Sequence, residues 1–189
     1  MNHQISESVI RNGINTEILG HYISLMGKES QAGVVSAQLR HKWKNGFAVK
    51  GSVEKMKDAG EELIRTHHSF KTDWPEPFSG DSGPTPGLEM LLSCAGACAA
   101  TSFAVKASLA GIEIKELEVI TEGKVDLKGL FEVDDDTPAR LQDLSITFNL
   151  DSDADDITIQ KLMKNLYRTS PVLDSIVNSV SVELSTKRM

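Results

Sequence analysis

The two cysteines, Cys94 and Cys98, are the residues of this sequence with the most distinctive chemistry. A spacing of four places both thiols on one face of a helix. Three interpretations are open. Free cysteines are commonly small core residues. A disulfide is disfavoured, because helical Cβ atoms at this spacing lie ~5–6 Å apart and a disulfide needs ~3.5–4.5 Å. A reactive thiolate in an apolar helix needs an Arg or His nearby to lower its pKa.

His67 and His68 form a second chemical cluster. Neighbours in a strand face opposite ways, so at most one of them points at a common site. They are either surface histidines, or His68 lies near a thiol and tunes its pKa. A metal site of Cys98 and His68 lacks further ligands, and the acidic stretch 131–160 lacks the Gly and closing Glu of a calcium loop. We therefore predict no metal. A Gly-x-Ser-x-Gly hydrolase motif is absent from the sequence.

Composition narrows the class of protein. The 189 residues carry a net charge of −7, which argues against nucleic acid or an anionic membrane as partner. Two cysteines are too few for a disulfide scaffold. Residues 1–11 do not resemble a secretory signal. The longest uncharged apolar stretch, 90–105, is short of the ~20 residues that span a bilayer. We expect a cytoplasmic protein with one main domain.

The pattern before the cysteines predicts an arm and a hairpin. Residues 1–30 form an N-terminal helical arm with an amphipathic helix over 15–26, and residues 31–189 form the domain. Strands flank the Asn45-Gly46 turn, and a third strand covers 63–70. A Gly/Pro-rich loop occupies 73–86. The segment 88–110 is predicted to be a helix that ends at Gly111 and is buried on every face, because it is apolar all round.

The rest of the chain predicts strands at 112–119, 125–131 and 144–150 and a helix near 159–166. A further helix begins at Pro171 with Ser170 as its cap, and Val180, Val182 and Leu184 alternate as in a closing strand. The fold class is α+β.

Several motifs occur together in the order typical of one family. They are Gly80-Asp-Ser-Gly-Pro-Thr-Pro86, Leu88-Glu-Met-Leu-Leu-Ser-Cys-Ala-Gly-Ala-Cys98 with Gly111 at the helix end, and the flanking segments 68–73, 125–129 and 168–172. Over residues 34–186 the sequence resembles the OsmC/Ohr superfamily.

The resemblance implies an intertwined homodimer in which antiparallel sheet wraps a long buried central helix carrying Cys98, with the sites at the subunit interface. It also implies thiol-dependent reduction of organic hydroperoxides without a cofactor. Cys98 matches the attacking cysteine, Glu89 lies near the carboxylate that orients an activating Arg, and His68 matches the family's His. The activating Arg comes from an early strand, for which Arg40 and Arg65 are the candidates.

The family's second cysteine is replaced here by Ser170. A serine cannot form the disulfide, so Cys94 would have to act as the resolving thiol, with local unwinding that Gly96 could ease. Two hypotheses follow. The first is a thiol peroxidase that acts on apolar hydroperoxides and is recycled by a thiol reductant. The second is a redox-inactive relative that binds a small apolar ligand.

Overall fold

The fold is α+β, with antiparallel strands and one long helix. The computed structural model describes residues 10–63, 68–81 and 86–188. These form two compact units: one contains Ile14–Leu91 together with Ile10, and the other contains Leu92 onward together with Arg11–Gly13.

The first unit consists of a short helix and a small sheet. The described part of the chain begins with two short strands that pair with each other, β1 (Ile10–Arg11) and β2 (Ile14–Asn15). The elements that follow are α1 (Thr16–Met26), β3 (Val35–Asn45), β4 (Ala48–Asp58), β5 (Glu61–Glu62), β6 (Ser69–Thr72) and a 3-10 turn at Glu76–Phe78. Asn15 caps α1 by accepting a hydrogen bond from the Ile18 backbone at 2.9 Å, which confirms the predicted helix.

The sheet of the first unit has two different faces. β4 pairs with β3 on one side and with β6 on the other, and Gly46 in the left-handed conformation closes the predicted hairpin turn. Residues directly opposite each other share a face. One face, which we call the basic face, carries Arg40, Lys42, Lys50, Lys55, Lys57 and Lys71. The other, the apolar face, carries Ala37, Leu39, Trp43, Val49, Val53, Met56 and Phe70.

The second unit is built on the long helix. Its elements are the main part of α2 (Gly87–Leu109), β7 (Ile114–Lys124), α3 (Leu127–Leu130), β8 (Asp143–Ser152), α4 (Asp156–Met163), a 3-10 turn at Leu166–Thr169, and α5 (Pro171–Val177). β7 and β8 pair antiparallel along their whole length.

Small residues on α2 allow β7 to approach closely. A Cβ at Gly96 would lie 3.0 Å from the Thr121 Cγ2. Phe103 and Ala107 pack with Ile112 and Leu166 in one core cluster, and Ala95 and Ala99 pack with Leu173 of α5 in another.

Residue Asn12 links the beginning of the chain to the end of α2. Its side chain donates to the Ser108 Oγ at 3.0 Å and to the Ile112 carbonyl at 2.9 Å, and it accepts from the Ile114 N–H at 2.8 Å. Arg11 also donates to the Gly111 carbonyl. We call this group the Asn12 clasp.

The prediction that α2 is buried on every face is wrong for the single chain. Its buried residues are Ala95, Gly96, Ala99, Phe103, Ala107 and Ser108, and all of them except Ser108, which the Asn12 clasp covers, lie on one side of the helix. On another side, Cys94, Ala97 and Thr101 are exposed. By length and composition alone α2 could cross a membrane, a property that buried helices of globular domains share.

Three predicted strands also differ from the structure. Residues 127–130 form α3, because Asp126 caps a helical turn by accepting from the Lys128 N–H at 2.9 Å. Residues 180–184 have no regular secondary structure and their apolar side chains are exposed, since no described strand pairs with them. Of the strand predicted over 63–70, only Ser69–Thr72 and the short β5 form, and residues 64–67 lie outside the described residues.

Candidate functional site

Cys98 lies at the margin of the buried face of α2. Ala95 and Ala99 are fully buried on one side of it, and Ala97 is exposed on the other. The Cys98 side chain itself is half-buried and its thiol is free. A half-buried thiol among small apolar residues can be reached by a small apolar molecule. It is also in contact with less bulk solvent than an exposed thiol.

The segment that precedes α5 packs against the same stretch of α2. Ser102, one turn beyond Cys98, donates its hydroxyl to the Thr169 carbonyl at 3.2 Å. Leu173 packs against Ala95 and Ala99. Ser170 lies between these two contacts, so the chain brings it to the side of α2 on which Cys98 lies.

Ser170 occupies the cap position of α5 without performing the capping function that we predicted. Its side chain is fully buried and makes no hydrogen bond to the α5 backbone or to any other described group. The backbone carbonyl of Ser170 instead accepts from the Asp174 N–H at 2.9 Å. A buried hydroxyl without a partner is unusual, because it forgoes the hydrogen bond that water would give it.

Cys94 is exposed one turn before Cys98, and its thiol is also free. Both cysteines lie on one side of an unbroken helix, so no disulfide joins them in this structure.

Glu89 lies in the first turn of α2 and is exposed. It precedes Cys98 by nine residues, which is two and a half helical turns. The two side chains therefore leave opposite sides of the helix, about 13 Å apart along its axis.

Arg40 lies on the basic face of the first unit. Its guanidinium forms an ion pair with Glu54, with the Arg40 Nε 3.3 Å from Glu54 Oε1. The hydrogen bond from Arg40 holds the pKa of Glu54 below its ordinary value. Arg65, the other candidate, lies outside the described residues, as does His67. His68 is exposed and its backbone carbonyl accepts from the Val53 N–H at 3.1 Å.

Sequence reasoning missed Glu54 and Ser102. The hairpin register could have indicated Glu54. Counting outward from the Asn45-Gly46 turn places Arg40 opposite Ser52, which is two residues before Glu54 on β4. Nothing in the sequence distinguishes Ser102, since its role depends on where the residues before α5 fold back. Within the described ranges, no group of three or more His, Cys, Asp or Glu side chains could hold a metal ion.

The sequence model of the family described as OsmC-like protein matches residues 79–185, which is more than half of the chain. This chain belongs to the OsmC-like family. No curated protein sequence is significantly similar to it.

Solved structures share the fold at low sequence identity. The OsmC-like protein of Mycoplasma pneumoniae is similar with a TM-score of 0.59 at 13% identity, covering 76% of this chain and 89% of that one. The organic hydroperoxide resistance protein of Elizabethkingia anophelis gives 0.51 at 12% identity, over 76% and 89% of the two chains. OhrB, an organic hydroperoxide resistance protein of Bacillus subtilis, gives 0.50 at 18% identity, over 80% and 98%.

Proposed function

We propose that this protein is a thiol-dependent reductase of organic hydroperoxides in which Cys98 is the attacking residue. The observation that carries the proposal is the position of Cys98, half-buried at the margin of the α2 core and beside the segment that contains Ser170. Family membership supports it, as does the fact that two neighbours of the same fold are named organic hydroperoxide resistance proteins.

The reaction would proceed in two stages. The Cys98 thiolate attacks one oxygen of an apolar hydroperoxide, the O–O bond breaks, and an alcohol leaves once its alkoxide is protonated. Cys98 is then a sulfenic acid. A small thiol condenses with it to a mixed disulfide and releases water, and a second thiol displaces Cys98 and regenerates it.

The residue at position 170 changes the second stage. A serine cannot condense with a sulfenic acid to form a disulfide. The buried Ser170 hydroxyl, which has no partner among the described residues, can instead donate a hydrogen bond to the oxygen of the Cys98 sulfenic acid. Resolution by Cys94 would require unwinding of α2 next to Gly96, which packs against Thr121. We therefore infer a one-cysteine cycle resolved by an external thiol.

We propose further that the working form is a homodimer. The exposed side of α2 near Cys94 and Ala97, and the apolar face of the hairpin with Leu39 and Trp43, are both uncovered in the single chain. A helix and a sheet face this apolar are ordinarily covered in the native assembly. A second copy would cover them and would place the sites at the interface.

Activation of Cys98 requires a cation near the thiol. Arg40 is bound to Glu54 in this chain, and no described side chain forms a hydrogen bond or an ion pair with Cys98. This observation favours the second candidate function, a relative that binds a small apolar ligand at Cys98 without reducing it. Under the first candidate, the guanidinium arrives with the partner copy or from Arg65.

Replacement of the two cysteines tests the proposal. Cys98→Ser should abolish consumption of cumene hydroperoxide in the presence of dithiothreitol. Cys94→Ser, the matched control one turn away, should leave the first turnover intact and at most reduce recycling. Full activity of Cys98→Ser would show that the attacking residue is wrong. If wild type consumes no peroxide and Cys98 stays unmodified although iodoacetamide alkylates it, the ligand-binding function is correct.

A further inference from the structure

Three lysines stand side by side on the basic face of the first unit. Lys50 of β4 is directly opposite Lys42 of β3 on one side and Lys71 of β6 on the other. Residues in this arrangement have Cβ atoms about 5 Å apart, and like charges directly opposite each other destabilise a sheet. None of the three forms an ion pair with an acidic side chain in the part of the chain that the structure describes.

This clustering runs against the charge of the whole protein. The chain has 27 acidic residues against 20 basic ones. An acidic protein has carboxylates available to neutralise surface lysines, and Arg40 on the same face does pair with Glu54. The lysine row is therefore a local concentration of positive charge on an acidic protein, in which only Lys42 has a recorded electrostatic interaction with a carboxylate, that of Glu54, among the described residues.

A cavity of about 590 Å³ lies at the end of this row. It is lined by Lys44, Ala48, Val49, Lys50, Lys71, Thr72, Asp73 and Asp81. Three lysines and two aspartates thus line one concave surface, in a volume that suits a small organic molecule.

The loop that forms one wall of the cavity is held in place by packing. Trp74 stacks on Phe47 with ring centroids 5.2 Å apart and meets the edge of Phe78 at 5.6 Å. Asp73 is 4% exposed, and one of its carboxylate oxygens accepts from the Trp74 N–H at 2.8 Å. The wall of the cavity that contains Asp73 is therefore fixed by this packing.

We propose that this cavity binds a small phosphate ester that also carries free hydroxyl groups. The phosphate group would accept charge-assisted hydrogen bonds from Lys44, Lys50 and Lys71, which relieves the repulsion between Lys50 and Lys71. The exposed carboxylate of Asp81 would accept hydrogen bonds from the ligand's hydroxyls. The same carboxylate disfavours a bare polyanion such as DNA, because its charge repels a continuous phosphate backbone. This proposal is independent of the chemistry at Cys98.

Titration calorimetry with ribose 5-phosphate as the probe tests this site on the full chain. We expect binding that weakens as NaCl rises from 50 to 500 mM, and no binding of ribose. Lys50→Gln should weaken binding about tenfold, the equivalent of one charge-assisted hydrogen bond. Lys55→Gln is the matched control, because it lies on the same strand and face but does not line the cavity.

Two further measurements separate a site from a general charge effect. Lys50→Gln should keep or raise the melting temperature of the free protein, because it removes like-charge contacts on both sides. Asp81→Asn should strengthen the binding of inorganic phosphate. It should also reduce the ratio of the affinity for ribose 5-phosphate to the affinity for inorganic phosphate. The proposal is overturned if ribose 5-phosphate does not bind, if Lys55→Gln weakens binding as much as Lys50→Gln, or if a single-stranded DNA oligonucleotide binds more tightly than ribose 5-phosphate.

Discussion

At the scale of single residues, the proposed function gives the hydroxyl of Ser170 the place that a thiol would take in a two-cysteine peroxidase. It is fully buried and has no hydrogen-bond partner among the residues that the structure describes. Ordinary side-chain hydroxyls in a core are paired, since an unpaired one costs about 1–3 kcal/mol. A polar group kept at this expense beside the Cys98 helix is consistent with a role in the oxidised state, when the sulfur carries an oxygen that can accept.

Replacement of the Ser170 oxygen by sulfur tests whether position 170 lies close to Cys98. After treatment with one equivalent of cumene hydroperoxide, wild type should carry a sulfenate on Cys98 that dimedone traps, with no Cys94–Cys98 disulfide. Ser170→Cys should instead form a disulfide with Cys98 and shorten the lifetime of the sulfenate, because the contacts of Ser102 and Leu173 bring position 170 to the same side of α2.

The control for that experiment is Ser170→Ala. It removes the buried unpaired oxygen, so the free energy of unfolding should stay unchanged or rise by about 1 kcal/mol. A Cys94–Cys98 disulfide as the main product in wild type, read by peptide mass spectrometry, would show that α2 unwinds on oxidation. Absence of any disulfide in Ser170→Cys would show that residues 168–172 do not reach Cys98.

At the scale of the elements, α2 depends on one large side chain. Phe103 is fully buried, and the centroid of its ring lies 5.7 Å from that of Phe148 on β8. It therefore joins α2 to the β7–β8 sheet. Phe103→Ala should lower the free energy of unfolding by about 3–5 kcal/mol in urea denaturation. Leu184→Ala, at a position 91% exposed, should change it by less than about 0.5 kcal/mol. Equal effects of the two substitutions would contradict the packing of Phe103 against Phe148.

The cap at the beginning of α4 makes the stability of the folded state depend on pH. Asp155 caps the helix, and hydrogen bonds from the Thr158 side chain and backbone hold the pKa of Asp155 below its ordinary value. A carboxylate with a lowered pKa in the folded state stabilises that state above its unfolded pKa near 4, and this contribution is lost as the pH falls through the folded pKa.

The matched variant is Asp155→Asn, which keeps a capping oxygen and removes the charge. Wild type should be the more stable of the two at pH 7, and the difference should shrink steadily as the pH falls from 5 to 2. Guanidinium melts at each pH measure it. A difference that stays constant over this range would show that the charge of Asp155 has no part in the cap.

Local signals in the sequence were sufficient for the elements that short-range chemistry determines. The Asn45-Gly46 turn, the Asn15 cap, the α2 run that ends at Gly111 and the alternation of β8 all appear in the structure. The local Asp126 cap was overlooked, whereas the wrongly predicted closing strand reflects a longer-range effect. Val180, Val182 and Leu184 alternate like a strand, but a strand needs a neighbour, and none of the described strands pairs with them. For the candidate site, the sequence indicated Cys98 and Ser170 but not that the Ser170 hydroxyl is left without a partner.

At the scale of the whole molecule, the uncovered apolar surfaces determine the expected assembly. Trp43 is 69% exposed and Leu39 is 43% exposed on the apolar face of the hairpin. We expect a dimer of the 20.6 kDa chain in sedimentation, and dilution should lead to unfolding and not to a folded monomer.

Two neighbouring positions separate an interface from a surface effect. Leu39 and Gln38 lie next to each other on β3 and therefore point to opposite faces. Leu39→Glu should dissociate the dimer or lower its midpoint of unfolding in a concentration-dependent way, whereas Gln38→Glu should not. A folded 20.6 kDa species of wild type at micromolar concentration would contradict the dimer.

The Asn12 clasp joins residues that are about a hundred positions apart in the sequence. During synthesis the ribosome releases Asn12 long before Ser108 and Ile114 exist, so the beginning of the chain has to wait for most of the polypeptide before it can dock. Contacts of such long sequence separation also slow folding, because the entropy of closing the loop is lost before the contact forms. Residues that are synthesised early are thus among the last to reach their final partners, and until then the polar groups at the end of α2 lack the hydrogen bonds of the clasp.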